Sequence, residues 1–182
     1  MIYTVELNFS DAAREHEWNT WYETYLAQLV LVPGIDSAQR FRAVTPGAQS
    51  WRYLAVYSID SLDLYTSEAY LSIGGGGNAS VRFKDAISRR RNVYQGIERF
   101  PEITATGRVA LCEDAPHGFD LDDILFQPLT AAAGRRKAGA TELDGVPVRR
   151  AIAVTDAAVA NRHNLAAMDG LAVYAPITKR YS

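Results

Sequence analysis

A chain of 182 residues is long enough to bury a hydrophobic core without disulfides or metals, as one domain or as two small ones. Its formal net charge of −2 and pI of about 5.9 give no overall basic field, which argues against nucleic acid or an anionic membrane as partner. The single cysteine, Cys112, excludes an internal disulfide. The N-terminus lacks the pattern of a signal peptide, and no apolar run approaches the roughly 20 residues that span a bilayer, so we expect a cytoplasmic protein.

The stretch 11–34 predicts a helix with an aromatic stripe. Asp11 is expected to cap its start, and Pro33-Gly34 to end it. Since tryptophan and tyrosine carry polar atoms that need partners when buried, the stripe suits a pocket wall as well as a core. Helical spacing places these side chains on one face: Trp18, Trp21, Tyr22, Tyr25, Leu29 and Val32.

The first half of the chain predicts the order β-α-β-β-α-β, the ferredoxin-like arrangement. Alternation indicates a strand at 2–9, a hairpin of strands at 35–44 and 51–59, and a strand at 92–100. Between residues 60 and 90 the pattern is helical and is interrupted by four glycines, Gly74 to Gly77, which we interpret as a flexible connection or a lid. Helices would cover one face of this antiparallel sheet, and the other face needs a partner.

The second half predicts the same order again. Its expected elements are a strand at 107–113, a helix at 120–131, a hairpin of 137–143 with 148–155, a helix at 156–168 and a strand at 171–181.

Two local similarities support a repeat. AVYSID at 55–60 is similar to AIAVTD at 151–156, and VYQGIERF at 93–100 to VYAPITKRY at 173–181. The sequence therefore predicts an α+β protein of two ferredoxin-like βαββαβ halves, 1–103 and 104–182, packed sheet to sheet as a pseudo-dimeric α+β barrel.

Several short motifs in the first half form a known pattern: Trp21-Tyr22, Tyr25-Leu26, Val32-Pro33-Gly34-Ile35, Ser37-Ala38, Arg40-Phe41-Arg42 and Tyr53-Leu54-Ala55-Val56-Tyr57. With these motifs, residues 1–100 resemble the dimeric α+β barrel superfamily, in particular its EthD-like and stress-responsive branch. The resemblance implies two ferredoxin-like units that enclose a cleft, in a family that includes isomerases, cyclases, cofactor-free monooxygenases, haem-binding enzymes and proteins without known activity. Where that family keeps a histidine, this chain has Tyr25, so a histidine acid/base role does not carry over.

The candidate site is a polar and aromatic cleft on the sheet face away from the helices. If Leu54 and Val56 pack against the helices, alternation sends their neighbours to the cleft. We expect Glu6 or Tyr25 to act as acid/base and Arg40 to stabilise an anion. The substrate-binding candidates are Asn8, Trp21, Tyr22, Tyr53, Tyr57 and Tyr94.

This lining suits a small hydrophobic or aromatic oxo compound, and the hypothesis is a cofactor-free enzyme of the isomerase, cyclase or lyase type. The alternatives are a non-catalytic small-molecule binder and a haem-binding or cofactor-free monooxygenase of the same fold.

His16, His117 and His163 lack metal-ligand spacing, so no metal is predicted, although His117 or His163 could serve as a single axial haem ligand. Arg89-Arg90-Arg91 is interpreted as a solvated face or as an anion-binding rim. A homodimer is compatible with these patterns.

Overall fold

The computed structural model describes residues 1–45, 51–113 and 121–182, which form a closed antiparallel barrel of eight strands. No helix in these three ranges is long and apolar enough to cross a membrane. The strands in barrel order are β1 (Ile2–Phe9), β3 (Tyr53–Ile59), β2 (Ile35–Ala43), β10 (Leu171–Pro176), β5 (Gly107–Glu113), β9 (Arg149–Asp156), β6 (Gln127–Ala131) and β4 (Ile87–Gln95).

The predicted α+β fold of two ferredoxin-like halves is confirmed by the strand order. Four neighbouring strands of the first half lie in the order β4-β1-β3-β2, and four of the second half lie in the order β10-β5-β9-β6. Within each half, the last strand lies beside the first and the third beside the second. The two similar segment pairs found in the sequence therefore fall at equivalent places, β3 with β9 and β4 with β10. The domain boundary at 103/104 stays a prediction.

In the described part of the chain, three helices accompany the barrel: α1 (Glu15–Leu29), α2 (Glu68–Ser72) and α3 (Ala157–Arg162), with short 3-10 turns beside the last two. The aromatic helix α1 is shorter than predicted. Asp11 accepts hydrogen bonds from the backbone N–H groups of Ala13 and Arg14 and so caps the turn before the helix rather than the helix itself. Helix α1 covers the outer face of the first half.

The helix predicted at 120–131 is wrong. Residue 120 lies outside the described residues, and Gln127–Ala131 forms strand β6. The apolar spacing that favoured a helix includes Leu125, whose exposed fraction is 87%, so the predicted residues are not all buried on one face. Strand β9 instead offers a hydrogen-bonding edge, with Leu129 opposite Arg150, and the ladder outweighs the helical spacing.

The hairpin predicted between 137–143 and 148–155 is also wrong. Strand β7 (Arg136–Ala138) pairs with β8 (Thr141–Leu143) around Gly139, whose φ of 54° suits a tight turn. Strand β9 pairs with β5 and β6 in the barrel instead. The helix predicted at 156–168 is interrupted, because Asn164 adopts a φ of 52° between α3 and the 3-10 turn Leu165–Ala167.

The helical pattern predicted up to residue 90 ends earlier. Two 3-10 segments, Leu62–Thr66 and Gly75–Phe83, flank α2, and strand β4 begins at Ile87 instead of 92. Ile87 lies opposite Phe9, so the edge of β1 draws the chain into the sheet from there onward.

Cross-strand register decides which side chains face the helix. Tyr57 lies opposite Tyr3 and Tyr53 opposite Leu7, so both tyrosines share the outer face that α1 covers. Leu54 and Val56 face the barrel interior. The prediction that Leu54 and Val56 of β3 pack against the helices is therefore wrong. A period of two defines two faces of a strand but does not show which one the helix covers.

A buried carboxylate joins the two halves inside the barrel. Glu6 of β1 accepts hydrogen bonds from Arg90 of β4 at 2.7 and 3.1 Å and from Arg150 of β9 at 2.9 and 2.9 Å. The side chains of Glu6 and Arg150 are 2% and 3% exposed, so this cluster, the Glu6 clasp, is shielded from solvent. Arg90 also pairs with Glu113 of β5. Opposite charges from the two halves thus meet in the barrel interior.

We expect Glu6→Ala to lower the free energy of unfolding by about 3–5 kcal/mol, because it leaves two guanidinium groups without their buried counter-charge. Denaturant unfolding measures this change. Glu142→Ala removes a carboxylate from an exposed pair with Arg135 and serves as the control, with an expected change below about 1 kcal/mol. Equal losses in the two variants would contradict a structural role for the clasp.

The stability should fall in acid through the same residue. Burial raises the pKa of Glu6, but Arg150 and Arg90 outweigh burial and leave the pKa lowered. A carboxyl whose pKa is lower in the folded protein stabilises it fully above the unfolded pKa, about 4.3, and the stabilisation is lost as the pH falls through the folded pKa. Unfolding measured between pH 6 and pH 2 should therefore show a steeper acid decline for the natural protein than for Glu6→Gln. If the stability of the two proteins fell in parallel with pH, this role of Glu6 would be contradicted.

Candidate functional site: an aromatic pocket

A cavity lies between helix α1 and the outer face of the first half. Its enclosed volume is about 60 Å³, smaller than the roughly 300–1,000 Å³ of most small-molecule sites, so a ligand of several rings would have to displace side chains of the rim or of α1. We call it the aromatic pocket, after the rings that line it: Tyr3, Trp18, Trp21, Tyr22, Tyr25, Tyr57, Tyr65 and Tyr70.

The helical spacing of α1 and the alternation of the strands together place the side chains of the pocket wall. Helical spacing directs Trp18, Tyr22 and Tyr25 of α1 toward the sheet, and strand alternation directs Tyr3 and Tyr57 toward the helix. The Tyr22 and Tyr57 hydroxyls lie 3.0 Å apart and share a hydrogen bond. The helix is thereby fixed to the sheet at the base of the pocket.

Several polar groups of the pocket have no protein partner. Among the described residues, the hydroxyls of Tyr3 and Tyr25 make no hydrogen bond, and the fully buried Tyr65 hydroxyl has no partner either. Burial raises the pKa of each of these phenols. They therefore stay protonated at neutral pH and are available as hydrogen-bond donors.

A cationic group lies among these phenols. Arg89 of β4 lines the pocket, and within the described ranges it forms no ion pair or hydrogen bond. Its pKa is lowered by burial and by the charge of Arg91, which donates to the Gly76 carbonyl at 2.9 Å. The mouth of the pocket thus holds a positive charge that no described protein carboxylate neutralises, next to phenolic donors.

The glycine segment forms part of the pocket rim. Gly76 and Gly77 line the pocket with φ values of 76° and 102°, which side-chain-bearing residues rarely adopt. A Cβ at Gly77 would lie 2.5 Å from a terminal nitrogen of Arg89. The Gly76 N–H donates to the Tyr70 hydroxyl at 3.0 Å. The glycines therefore allow the rim to approach Arg89 closely.

Four of the predicted site residues come together here, namely Trp21, Tyr22, Tyr25 and Tyr57. Tyr53 lies behind them and donates a hydrogen bond to Glu15. Asn8 is exposed at the end of β1 and accepts from the Arg52 backbone N–H at 2.8 Å.

Arg40 is predicted to stabilise an anion, and the structure places it next to the pocket rather than in its lining. Its guanidinium carbon lies 4.0 Å from the ring centre of Tyr22 and 4.6 Å from that of Trp18, and it donates to Asn19 at 2.9 Å. Arg40 is 1% exposed, and burial lowers its pKa. In this position the guanidinium supports Tyr22 by a cation–π contact.

The other two candidates, Glu6 and Tyr94, face the barrel interior. Both oxygens of Glu6 are engaged by arginines in the clasp. Tyr94 donates to the Pro147 carbonyl at 3.0 Å, and burial raises its pKa to about 12. The structure thus separates Glu6 from Tyr25, which the sequence hypothesis combined in one cleft.

Sequence reasoning did not include Tyr3, Tyr65 and Tyr70 in the site, and it named Arg89 only as part of a solvated face or an anion-binding rim. Tyr3 lies opposite Tyr57 on the face that α1 covers, and strand alternation alone does not show which face that is. Tyr65 and Tyr70 come from the irregular segment 60–72, and no periodicity indicated their direction.

The histidines of the described part of the chain do not line the aromatic pocket. His16 is exposed on α1, and the His163 ring lies 2.7 Å from Asp123 on the surface. His117 lies outside the described residues. In the part of the chain that the structure describes, no group of three or more His, Cys, Asp or Glu side chains could hold a metal ion.

No protein-family model matches the sequence, and the search of curated proteins finds no match. The solved structures that are similar to the chain include the following three. Two are named "putative monooxygenase". One is from Fusobacterium nucleatum subsp. nucleatum ATCC 25586, with 11% identity and a TM-score of 0.49, and the match covers 97% of this chain and 92% of that one. The other is from Lactobacillus acidophilus NCFM, with 7% identity and a TM-score of 0.50, and the match covers 100% of this chain and 95% of that one. The third is an anthrone oxidase-like protein, with 12% identity, TM-score 0.48, and 100% and 92% covered.

At these identities the likeness concerns the fold alone. The Lactobacillus protein matches over the whole chain, which agrees with the α+β barrel described above. The EthD-like branch stays a prediction.

The rim can be tested at Gly77. We expect Gly77→Ala to lower the free energy of unfolding by about 1–3 kcal/mol, because the residue has a positive φ, and to displace Arg89. Thermal or denaturant unfolding measures the stability. Gly134→Ala is the matched control, since an added Cβ there meets no atom within 4 Å. If Gly77→Ala were as well tolerated as the control, the close approach of rim and Arg89 would be wrong.

Proposed function

We propose that the protein is an enzyme that binds a flat, hydrophobic oxo compound in the aromatic pocket as its phenolate or enolate, and that it brings this anion into reaction with molecular oxygen without a protein-bound cofactor. The observation that carries the proposal is the combination of Arg89, a solvent-exposed guanidinium at the pocket edge, with those phenol groups of the aromatic pocket that, like Arg89, have no partner among the described residues.

The pocket chemistry supports a flat anionic ligand. Stacking surface comes from rings such as the parallel pair Trp21 and Tyr25, whose centres are 5.3 Å apart. Hydrogen-bond donors come from Tyr3 and Tyr25, and positive charge comes from Arg89. A ligand oxygen that carries negative charge would satisfy these groups together.

The reaction type follows from which groups the pocket lacks. No carboxylate or histidine lines it among the described residues, and its buried phenols have raised pKa values, so they stay protonated at neutral pH and cannot take a proton from a substrate. An isomerase or cyclase needs a group that removes a proton and returns it. A compound acidic enough to form its own anion needs only stabilisation of that anion, which this pocket offers.

Oxygen can then complete a balanced reaction. The anion of an aromatic ketone with an adjacent CH₂ adds dioxygen at carbon, one proton from water gives the hydroperoxide, and loss of water leaves a second carbonyl. One oxygen atom enters the product, and the other leaves as water. A non-catalytic binder is the second candidate, because the same missing base favours binding without turnover.

Anthrone and its hydroxylated analogues are suitable probes, since oxidation converts the CH₂ group to a quinone carbonyl that is visible by absorbance. We expect Arg89→Gln to weaken binding of the anionic probe by about tenfold to a hundredfold, because a hydrogen bond to a charged group contributes about 1.5–3 kcal/mol. Fluorescence titration and an oxygen electrode measure binding and turnover. Arg136→Gln, on an exposed strand away from the pocket, is the control. Binding without oxygen uptake would favour the binder, and equal effects of the two variants would exclude this pocket.

The pH dependence of the rate should follow the pKa of the bound substrate. The buried pocket phenols have raised pKa values and stay protonated, so the rate is expected to rise with pH through the pKa of the bound substrate. A more acidic hydroxylated analogue should move the profile to lower pH by its own pKa difference. A profile that does not move with the substrate would point to a protein base and would contradict the mechanism.

A further inference from the structure

The rings of the aromatic pocket continue as a connected series beyond it. The ring centres of Tyr3 and Tyr57 are 5.3 Å apart, and the hydroxyls of Tyr57 and Tyr22 are 3.0 Å apart. The series goes on from Tyr22 to Trp18 at 5.7 Å and from Trp18 to Tyr53 at 4.9 Å, again between ring centres. Each step brings two oxidisable side chains into contact.

The end of the series differs from its other members in one respect. Tyr53 donates its hydroxyl hydrogen bond to a carboxylate of Glu15, the first residue of α1. Glu15 also accepts from Arg52 at 3.0 Å, and its side chain is 19% exposed. Tyr53 therefore has a proton acceptor that exchanges with solvent.

The other rings lack such an acceptor. Within the described ranges, the Trp18 indole N–H has no hydrogen-bond partner, and Tyr22 and Tyr57 bond only to each other's weakly basic hydroxyls. The Arg40 guanidinium lies against Trp18 and Tyr22, so a further positive charge on either ring is unfavourable. An oxidised ring that cannot lose its proton takes an electron from the next ring in the series. Tyr53 can lose its proton and therefore remains oxidised.

We propose that this series carries one-electron oxidation out of the aromatic pocket to Tyr53, which becomes a neutral tyrosyl radical as its proton moves to Glu15. The oxidant arises when the substrate anion instead gives one electron to dioxygen, which leaves as superoxide, and the remaining carbon radical adds a second dioxygen to form a peroxyl radical. In the balanced relay step, this peroxyl radical takes one electron and becomes the peroxide anion, and Tyr53 loses one electron and one proton. The relay removes damaging radicals from the pocket. It rests on the proposed function only for the source of the oxidant.

The test supplies the oxidant without any substrate. Asn78 is exposed beside Gly77 at the pocket rim, so Asn78→Cys in a Cys112→Ala background can carry a ruthenium polypyridyl photo-oxidant. A cobalt(III) quencher removes the excited electron and leaves a one-electron oxidant at the rim. Tyr181→Phe is included because its hydroxyl also donates to a carboxylate, Glu23. Electron paramagnetic resonance of frozen samples after illumination then detects tyrosyl radicals.

We expect a tyrosyl signal that is lost in Tyr53→Phe and also in Glu15→Gln, which keeps the phenol and removes the proton acceptor. Tyr25→Phe is the matched control, because Tyr25 is a pocket phenol without a carboxylate acceptor, and it should leave the signal unchanged. Undiminished signal in Tyr53→Phe or in Glu15→Gln overturns the relay. Circular dichroism checks the fold, and Glu15→Gln decides the question if Tyr53→Phe does not fold. Failure to bind anthrone leaves this result intact, so the two proposals fail separately.

Discussion

The arrangement of this molecule depends on the buried Glu6 clasp. A carboxylate on β1 holds Arg90 from its own half and Arg150 from the other, so the two four-stranded halves are tied by charge in a space that is otherwise apolar. Removing such charges from water is costly, and the cost is offset only when all partners are in register. The clasp thus specifies which strands meet when the barrel closes.

Closure of the barrel determines where a ligand can bind. The inner faces of both halves are occupied by core side chains such as Phe41, Leu111 and Ile152, together with the clasp. The outer face of the first half is covered by α1, which stands off far enough over Tyr3 and Tyr57 to leave the aromatic pocket. A second and larger cavity, of about 750 Å³, is lined by Glu6, Arg90 and Arg150, so the clasp side of the barrel also offers space for a ligand.

Much of the fold was accessible from sequence because its signals are local. Alternation in β1 and the hairpin of β2 and β3 each depend on neighbouring residues, as does the aromatic stripe of α1. Two weak internal similarities, AVYSID with AIAVTD and VYQGIERF with VYAPITKRY, marked equivalent barrel strands. Prediction failed at Gln127–Ala131, where helical spacing was outweighed by the free edge of β9, a partner distant along the chain.

The sequence by itself determined the α+β class, the two similar halves and the residues Trp21, Tyr22, Tyr25 and Tyr57 as site candidates. Only the tertiary structure decided which face of β3 the helix covers, that Glu6 belongs to a buried ion cluster and that Arg89 lies unpaired beside the pocket. The physical reason is that periodicity defines two faces of a strand, whereas cross-strand register and long-range charge pairing decide what each face meets.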